Sequence, residues 1–436
     1  MSAEQRVEIP WSSAAFRTIL ACSLIGVMGV PLISPILPEL RVVFGISDTQ
    51  AGLIITAYTL PGVFLTPFIG LLSDHFGRRP VVLPLLFLFG LSGAAIGVAP
   101  AFELVLLLRL LQGIGASGLM VLAITLIGDF YDGAQRHAVI GVNGSAIGIG
   151  AASYPLIGGA LASVGWNVPF AFFGVSLVVG VVALFSLTEP AIDEPPSFRA
   201  YADRLASAAL VPEALGLWFA AFFTFFLFYG GVLTTLSLLL SDVYGLAAFF
   251  TFFLFYGGVL TTLSLLLSDV YGLAAGEIGL LFSMVSLANA TMASQYGRVS
   301  DVLPARQLVA LGFVGFGVSL LGVWAAATPV AIGAMLVCFG LGFGVVMPSL
   351  DTTTAGLVSG QLRASMLGVL TSMLWLGQTV GPVVFTGIAQ NAFARPVAGY
   401  RFLLLFWGTG AVLGGLSVFA YLVGRTETTT PHSDTS

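Results

Sequence analysis

The chain contains no lysine. Its fifteen basic residues are all arginine, and with twenty acidic residues they make up only 8% of 436 positions. Soluble domains carry about 25% charge, so this chain is no ordinary soluble protein. The net charge of −5 identifies no partner, because the charges gather in loops, and nucleic acid is not expected. Cysteine is nearly absent. Cys22 and Cys338 both fall inside apolar runs and read as small packing residues. His75, His137 and His432 lie in loops. These residues offer neither a metal cluster nor a nucleophile–base pair, so no cofactor, metal or enzymatic activity is expected.

What is abundant is apolar: 58% of the residues are hydrophobic. Runs of at least 18 apolar residues, each long enough to cross a bilayer as a helix, recur throughout. The expected class is an all-α integral membrane protein. The first run exceeds a signal-peptide core and lacks a clear cleavage site, so it reads as a retained helix. Breaking the runs at charges, prolines and glycines gives spans near 14–37, 48–72, 80–99, 103–129, 138–163 and 167–188. Residues 189–212, with Glu189, Asp193, Glu194, Arg199, Asp203 and Arg204 around Pro190, Pro195 and Pro196, read as a polar cytoplasmic linker. Further spans follow from the region 213–275, then near 277–296, 305–327, 329–349, 364–389 and 399–423. Arginine placement puts the N-terminus in the cytoplasm, with Arg6, Arg17, Arg78, Arg79, Arg136, Arg199 and Arg204 on that side.

An internal repeat divides the spans. A single offset of 227 residues takes Gly45 to Gly272, Gly52 to Gly279, Gly70 to Gly297, Asp74 to Asp301 and Arg79 to Arg306. It also takes Gly113 to Gly340, Gly115 to Gly342, Arg136 to Arg363, Gly150 to Gly377 and Pro155 to Pro382. Two pseudo-symmetric six-helix bundles, 14–188 and 213–424, are the economical explanation. One segment is repeated differently: residues 220–246 recur unchanged at 247–273. An identical match marks a recent tandem duplication of the helix 7 segment or an error in the sequence. Its five Phe and six Leu in the apolar core are worth roughly −3 to −7 kcal/mol of membrane insertion. Two spanning copies would invert every later helix. One copy is therefore expected to serve as helix 7, with the other along the membrane or packed peripherally.

Between the second and third spans stands Gly70-Leu-Leu-Ser-Asp-His-Phe-Gly-Arg-Arg79, with a looser copy at Gly297–Arg306. Gly70 permits close helix approach and Gly77 a tight turn. Asp74 can accept hydrogen bonds from Arg78 or Arg79, or face another helix's N-terminus. In the fourth span, Arg109 is a charge within a helix, a functional candidate by default. Gln112 shares its face one turn on, and Gly113 and Gly115 thin the helix. A structural arginine that caps backbone carbonyls is the competing account. In the fifth span, Gly150-Ala-Ala-Ser-Tyr-Pro-Leu-Ile-Gly-Gly159 holds Pro155, Gly158 and Gly159, and Gly381-Pro382 stands in the equivalent helix.

With these motifs the chain resembles the major facilitator superfamily, and specifically its twelve-helix drug:proton antiporter (multidrug efflux) group. Gly70, Leu72, Asp74, Gly77, Arg78 and Arg79 follow the loop signature, Arg109-x-x-Gln112-Gly113-x-Gly115 the helix-4 signature, and Gly150–Gly159 the antiporter signature. Pro35-Ile-Leu-Pro38 also fits a signature of twelve-helix drug exporters. The chain departs at Tyr154, where the family has glycine. The resemblance implies a conformational latch of Gly70, Asp74, Gly77, Arg78 and Arg79, with Asp301 and Arg306 as the second copy. In it Asp74 would meet the start of helix 11 near Arg363–Met366. It also implies a proton-transfer role for Arg109.

The spans contain no deep carboxylate on this reading; Glu103 and Asp129, at helix ends, are the nearest titratable groups. An unpaired Arg109 could instead attract an anion. Tyr58, Gln112, Asn143, Trp375 and Gln378 could offer polar tips to a pocket between the halves near the midplane. The expectation is a monomeric plasma-membrane exporter of small amphipathic organic compounds or drugs. It would work by alternating access, in the lipid bilayer, with protons as the coupling ion. A metabolite or organic-anion carrier, or a transport-impaired duplication variant, is the alternative.

Overall fold

A computed structural model describes residues 9–189, 261–356 and 363–427. All regular structure among the described residues is helical. The first half runs α1 (Ala14–Met28), α2 (Leu37–Phe44), α3 (Asp48–Phe76), α4 (Arg78–Ala95), α5 (Phe102–Phe130), α6 (Gly133–Ala162), α7 (Val168–Phe172) and α8 (Val175–Ser186). The second half begins with α9 at 261–271. It continues with α10 (Ala275–Ser294), α11 (Tyr296–Ser300), α12 (Ala305–Ala325), α13 (Pro329–Gly356), α14 (Arg363–Asn391) and α15 (Pro396–Glu427). Eight of the described helical spans are long and apolar enough to cross a membrane. Their outer faces expose Phe64, Leu107, Val178, Phe185 and Leu413, which is unfavourable in water and natural against lipid. The expected linker, from 190 on, and the first repeated copy, 220–246, lie outside the described residues.

The helices start and stop where local chemistry dictates. Ser47 accepts the Gln50 N–H on its hydroxyl while the Gln50 side chain accepts the Ser47 N–H, a capping box that opens α3. Gly45 ends α2 in the left-handed region at φ +61°, and Gly272, 227 residues later, ends α9 at φ +62°. The sequence repeat is therefore a repeat of backbone conformation.

It is also a repeat of packing. At Gly113 an added Cβ would lie 2.0 Å from the Tyr58 carbonyl oxygen; at Gly340 it would lie 2.2 Å from that of Val285, the residue equivalent to Tyr58. Gly115 faces Leu85 and Phe89, and Gly342 faces their equivalents Gly312 and Phe316. Each half thus brings its fourth helix onto its second through glycines that leave no room for a side chain.

The halves join along two seams, α3 with α14 and α6 with α10. Gly52 of α3 lies against Pro382 of α14, and the equivalent residues Gly279 of α10 and Pro155 of α6 meet in the same way. This reciprocity is what a two-fold relation between halves requires, and both halves stand with the same ends together.

The second repeated copy contributes α9. Leu263, Leu265, Leu266 and Leu267 are buried in the second-half core with Phe282, Phe316, Leu336 and Tyr400. The Ser264 hydroxyl donates to the Ser34 carbonyl, and that of Tyr271 to the Ala326 carbonyl. Residues 261–271 therefore take the place expected of helix 7.

One reading of the sequence is corrected here. Cys22 is buried, but Cys338 is exposed on α13 and is no packing residue. An apolar neighbourhood in sequence cannot say which face of a membrane helix looks at lipid.

Candidate functional site

The glycine-arginine loop is fastened within the first half. Gly77 adopts φ +98°, a conformation that favours glycine. This turn aims the first N–H groups of α4 at Glu189, whose carboxylate accepts from Arg78 N (2.5 Å) and Arg79 N (2.9 Å). An anion there complements the positive end of the helix dipole. The buried Arg78 side chain donates from Nε to Asp129 at 2.9 Å and from Nη1 to Ser73 at 2.9 Å. Arg79 donates to the Leu184 carbonyl at 2.7 Å. The loop is thereby tied to α5 and to the end of α8. Sequence reasoning placed Glu189 in the linker and Asp129 among coupling candidates; the structure gives both to the loop.

The second copy is not a second latch of the same shape. Asp301 and Arg306 are exposed, and Pro304, at φ −58°, occupies the place equivalent to Gly77. Without a left-handed residue the turn cannot be repeated. The expected contact of Asp74 with Arg363–Met366 involves side chains outside the described residues.

At mid-height, Arg109 is fully buried and serves three elements at once. Nε donates to the Ile54 carbonyl at 3.1 Å, Nη2 to the Gly29 carbonyl at 3.0 Å, and Nη1 to Gln112 at 2.8 Å. Its Cζ lies 4.5 Å from the Tyr58 ring centroid, in cation–π range. Gly29 makes room for this arrangement, since a Cβ there would fall 2.0 Å from the Tyr58 ring. The view of Arg109 as an unpaired cation is thus corrected: the guanidinium is spent on carbonyls and Gln112.

Tyr58 carries the cluster to the other half. Its ring meets Trp375 edge-on, with centroids 6.3 Å apart, and Trp375 is seated over Gly62. Just beyond, Thr56 donates to the Thr379 carbonyl at 2.6 Å, and the Thr59 and Thr379 hydroxyls meet at 2.9 Å. Gln378 is half-buried beside Thr379 on α14. The structure so brings together Tyr58, Arg109, Gln112 and Trp375. Asn143 is buried on α6 with its Oδ1 unpartnered and takes no part in these hydrogen bonds. The Thr56, Thr59 and Thr379 contacts were not anticipated; only a known pairing of α3 with α14 would have revealed them.

On α6, the Tyr154 hydroxyl donates to the Leu24 carbonyl at 2.9 Å, so the ring bridges to α1 where a glycine would leave a gap. Close approach is reserved for Gly158, against the Leu32 carbonyl, and Gly159, against that of Ala275. Gly150 and Gly381 are buried in the same two motif helices, α6 and α14.

The two ends of the interface differ. Inter-half hydrogen bonds gather at the end remote from the glycine-arginine loop, including Thr49 to Gln390 and Ser264 to Ser34. Toward the loop end of α6, Gly148 has only Ala290 within reach, at 3.5 Å, and Gly144 and Gly141 face open space. The halves converge at the far end and part toward the loop end.

Comparison with known proteins agrees with this architecture. The Major Facilitator Superfamily model matches residues 19–257 and again 246–436. The bacillibactin exporter of Bacillus subtilis (strain 168) is 27% identical over 395 residues, covering 86% of this chain and 90% of that protein. The class D tetracycline resistance protein of Salmonella ordonez is 26% identical over 380 residues, covering 85% and 88%. Among solved structures, a D-xylose-proton symporter superposes with a TM-score of 0.71 at 16% identity, covering 93% of this chain and 97% of that one. A bacterial homologue of the lysosomal transporter Spinster, inward-facing and unoccupied, gives 0.69 at 19% identity, covering 96% and 98%. With its paired halves, its glycine-arginine loop and these relatives, the chain belongs to the Major Facilitator Superfamily and is a drug-efflux-like membrane transporter.

Proposed function

We propose that the chain exports small amphipathic organic compounds by alternating access, coupled to protons, from a plasma membrane in which its N-terminus is cytoplasmic. The observation that carries this is the interface itself, closed by hydrogen bonds at the far end and open along α6 at the loop end. Such an interface suits a space reached from one side at a time. Tyr58, Trp375 and Gln378 stand at its middle and suit an aromatic pocket with few polar groups. The relatives named as exporters and resistance proteins support the outward direction. The burial of Arg109 speaks against a carrier built on anion attraction.

Proton coupling requires a carboxylate that changes its access. Asp351, which the sequence reading passed over, falls within α13 and joins Glu103 and Asp129 as a candidate. In cells expressing the chain, a lipophilic cationic dye should be retained less than in cells without it. Collapse of the proton gradient by an uncoupler should abolish the difference. Equal retention with and without the chain would reject export; retention insensitive to the uncoupler would reject the coupling.

A further inference from the structure

A charged cluster at the far end stands apart from every motif considered so far. Arg41, on α2, reaches across to α9 and grips Asp269 with both terminal nitrogens, at 2.9 and 2.5 Å. From Nη1 it also donates to Asp48 at 2.7 Å. Asp48, the first residue of α3, is only 4% exposed, and its second oxygen accepts the Tyr400 hydroxyl of α15 at 2.5 Å. Two of the four residues come from each half. Asp269, chiefly, together with Asp48 holds the Arg41 guanidinium above its ordinary range, while partial burial opposes this.

We propose that Arg41, Asp48, Asp269 and Tyr400 form a lock that closes the far face of the transporter and must part for substrate to cross it. Two carboxylates share one guanidinium, so the cluster holds an excess negative charge. That charge is tolerable only while the Tyr400 hydroxyl and Arg41 both reach it. Removing one partner should therefore loosen the whole group. The side chains of Arg41 and Asp269 remain about a quarter exposed, at 23% and 24%. Water can take over their hydrogen bonds when the halves separate, which distinguishes a reversible lock from a permanent buried staple. Thr49 and Gln390 lie beside it, joined hydroxyl to amide oxygen at 2.7 Å, and report whether it is shut.

The proposal rests on the alternating-access reading, but its test does not require transport. With Cys338→Ala as background, cysteines at Thr49 and Gln390 are oxidised in the purified full chain and the cross-linked fraction is followed in time. Asp269→Asn, Arg41→Gln and Tyr400→Phe should each slow cross-linking roughly three- to tenfold. The Arg41→Gln/Asp269→Asn double variant should be no slower than the worse single, since both break one interaction. Tyr400→Phe keeps the ring and removes one hydroxyl, which guards against simple unfolding. Asp242 occupies the same place in the other copy of the repeated segment, so Asp242→Asn should change nothing. Unaltered cross-linking in Asp269→Asn and Tyr400→Phe, or an equal effect of Asp242→Asn, would overturn the lock. Dye retention by the same variants bears only on the transport reading.

Discussion

Arg109 owes its place to geometry that no other side chain reproduces. A guanidinium presents donors in a fixed fork, and here the fork meets two carbonyls on α3 and the end of α1 together with a glutamine on α5. An ammonium is a point charge on a flexible stem and cannot reach all three. Arg109→Lys should therefore lose at least one buried hydrogen bond, at about 1–3 kcal/mol for each group left unsatisfied. The measurement is thermal unfolding of the purified chain in detergent, where an unchanged midpoint would contradict this account. Tyr58 offers the contrast. Its hydroxyl is buried without a hydrogen-bond partner, so Tyr58→Phe retains the ring over Arg109 and against Trp375 and discards a group that gains nothing. Its stability should stay within about 0.5 kcal/mol of the parent or rise. Loss of dye export by a stable Tyr58→Phe chain would mark that hydroxyl as a substrate contact.

Among the helices, the repeat makes paired predictions. Gly113→Ala and Gly340→Ala both push a methyl into a carbonyl on the neighbouring helix, at 2.0 and 2.2 Å. Each should destabilise by about 1–3 kcal/mol through overpacking. Gly141→Ala meets open space and should be neutral or slightly stabilising, because alanine favours the helix. Equal unfolding midpoints for the three variants would remove the glycine seams from the explanation. These positions were legible in the sequence because glycine and proline act locally: each changes what its own backbone can approach or adopt. The Gly77 turn and the Gly113 and Gly115 contacts were visible for that reason. Asp129 as partner of Arg78, Glu189 as cap of α4, and the threonines between α3 and α14 were not. They depend on which faces of distant helices meet, and an apolar run carries little phase information when both lipid and core are apolar. The exposure of Cys338 escaped notice for the same cause.

At the scale of the molecule, the repeated segment is the variable. Deleting 247–273 or 220–246 yields the same 409-residue chain. That chain retains a segment identical to α9, followed directly by α10, so the contacts to Ser34 and Arg41 should form as before. Dye export should be at least equal to that of the 436-residue chain. A cysteine placed at residue 300 should be labelled from the same membrane face as one at residue 76, in either length. Labelling of the two positions from opposite faces in the longer chain would mean that both copies span and the second half is inverted.

The contacts of Gly52 with Pro382 and of Gly279 with Pro155 have a mechanical consequence. They sit on opposite flanks of the central space, and each is a smooth surface resting on a ring, with no side chain interlocked into its neighbour. Two such contacts behave as a pair of bearings: one half can roll on the other there with little change in the atoms touching. If the halves rock, most of the free-energy difference between the two tilts then lies away from the axis. It is set at the rims, by Arg41 and its partners on one side and by the loop tied to Glu189 and Asp129 on the other. Substitutions at the rims should shift the balance between the tilts, whereas bulk added at the bearings should slow passage in both directions alike.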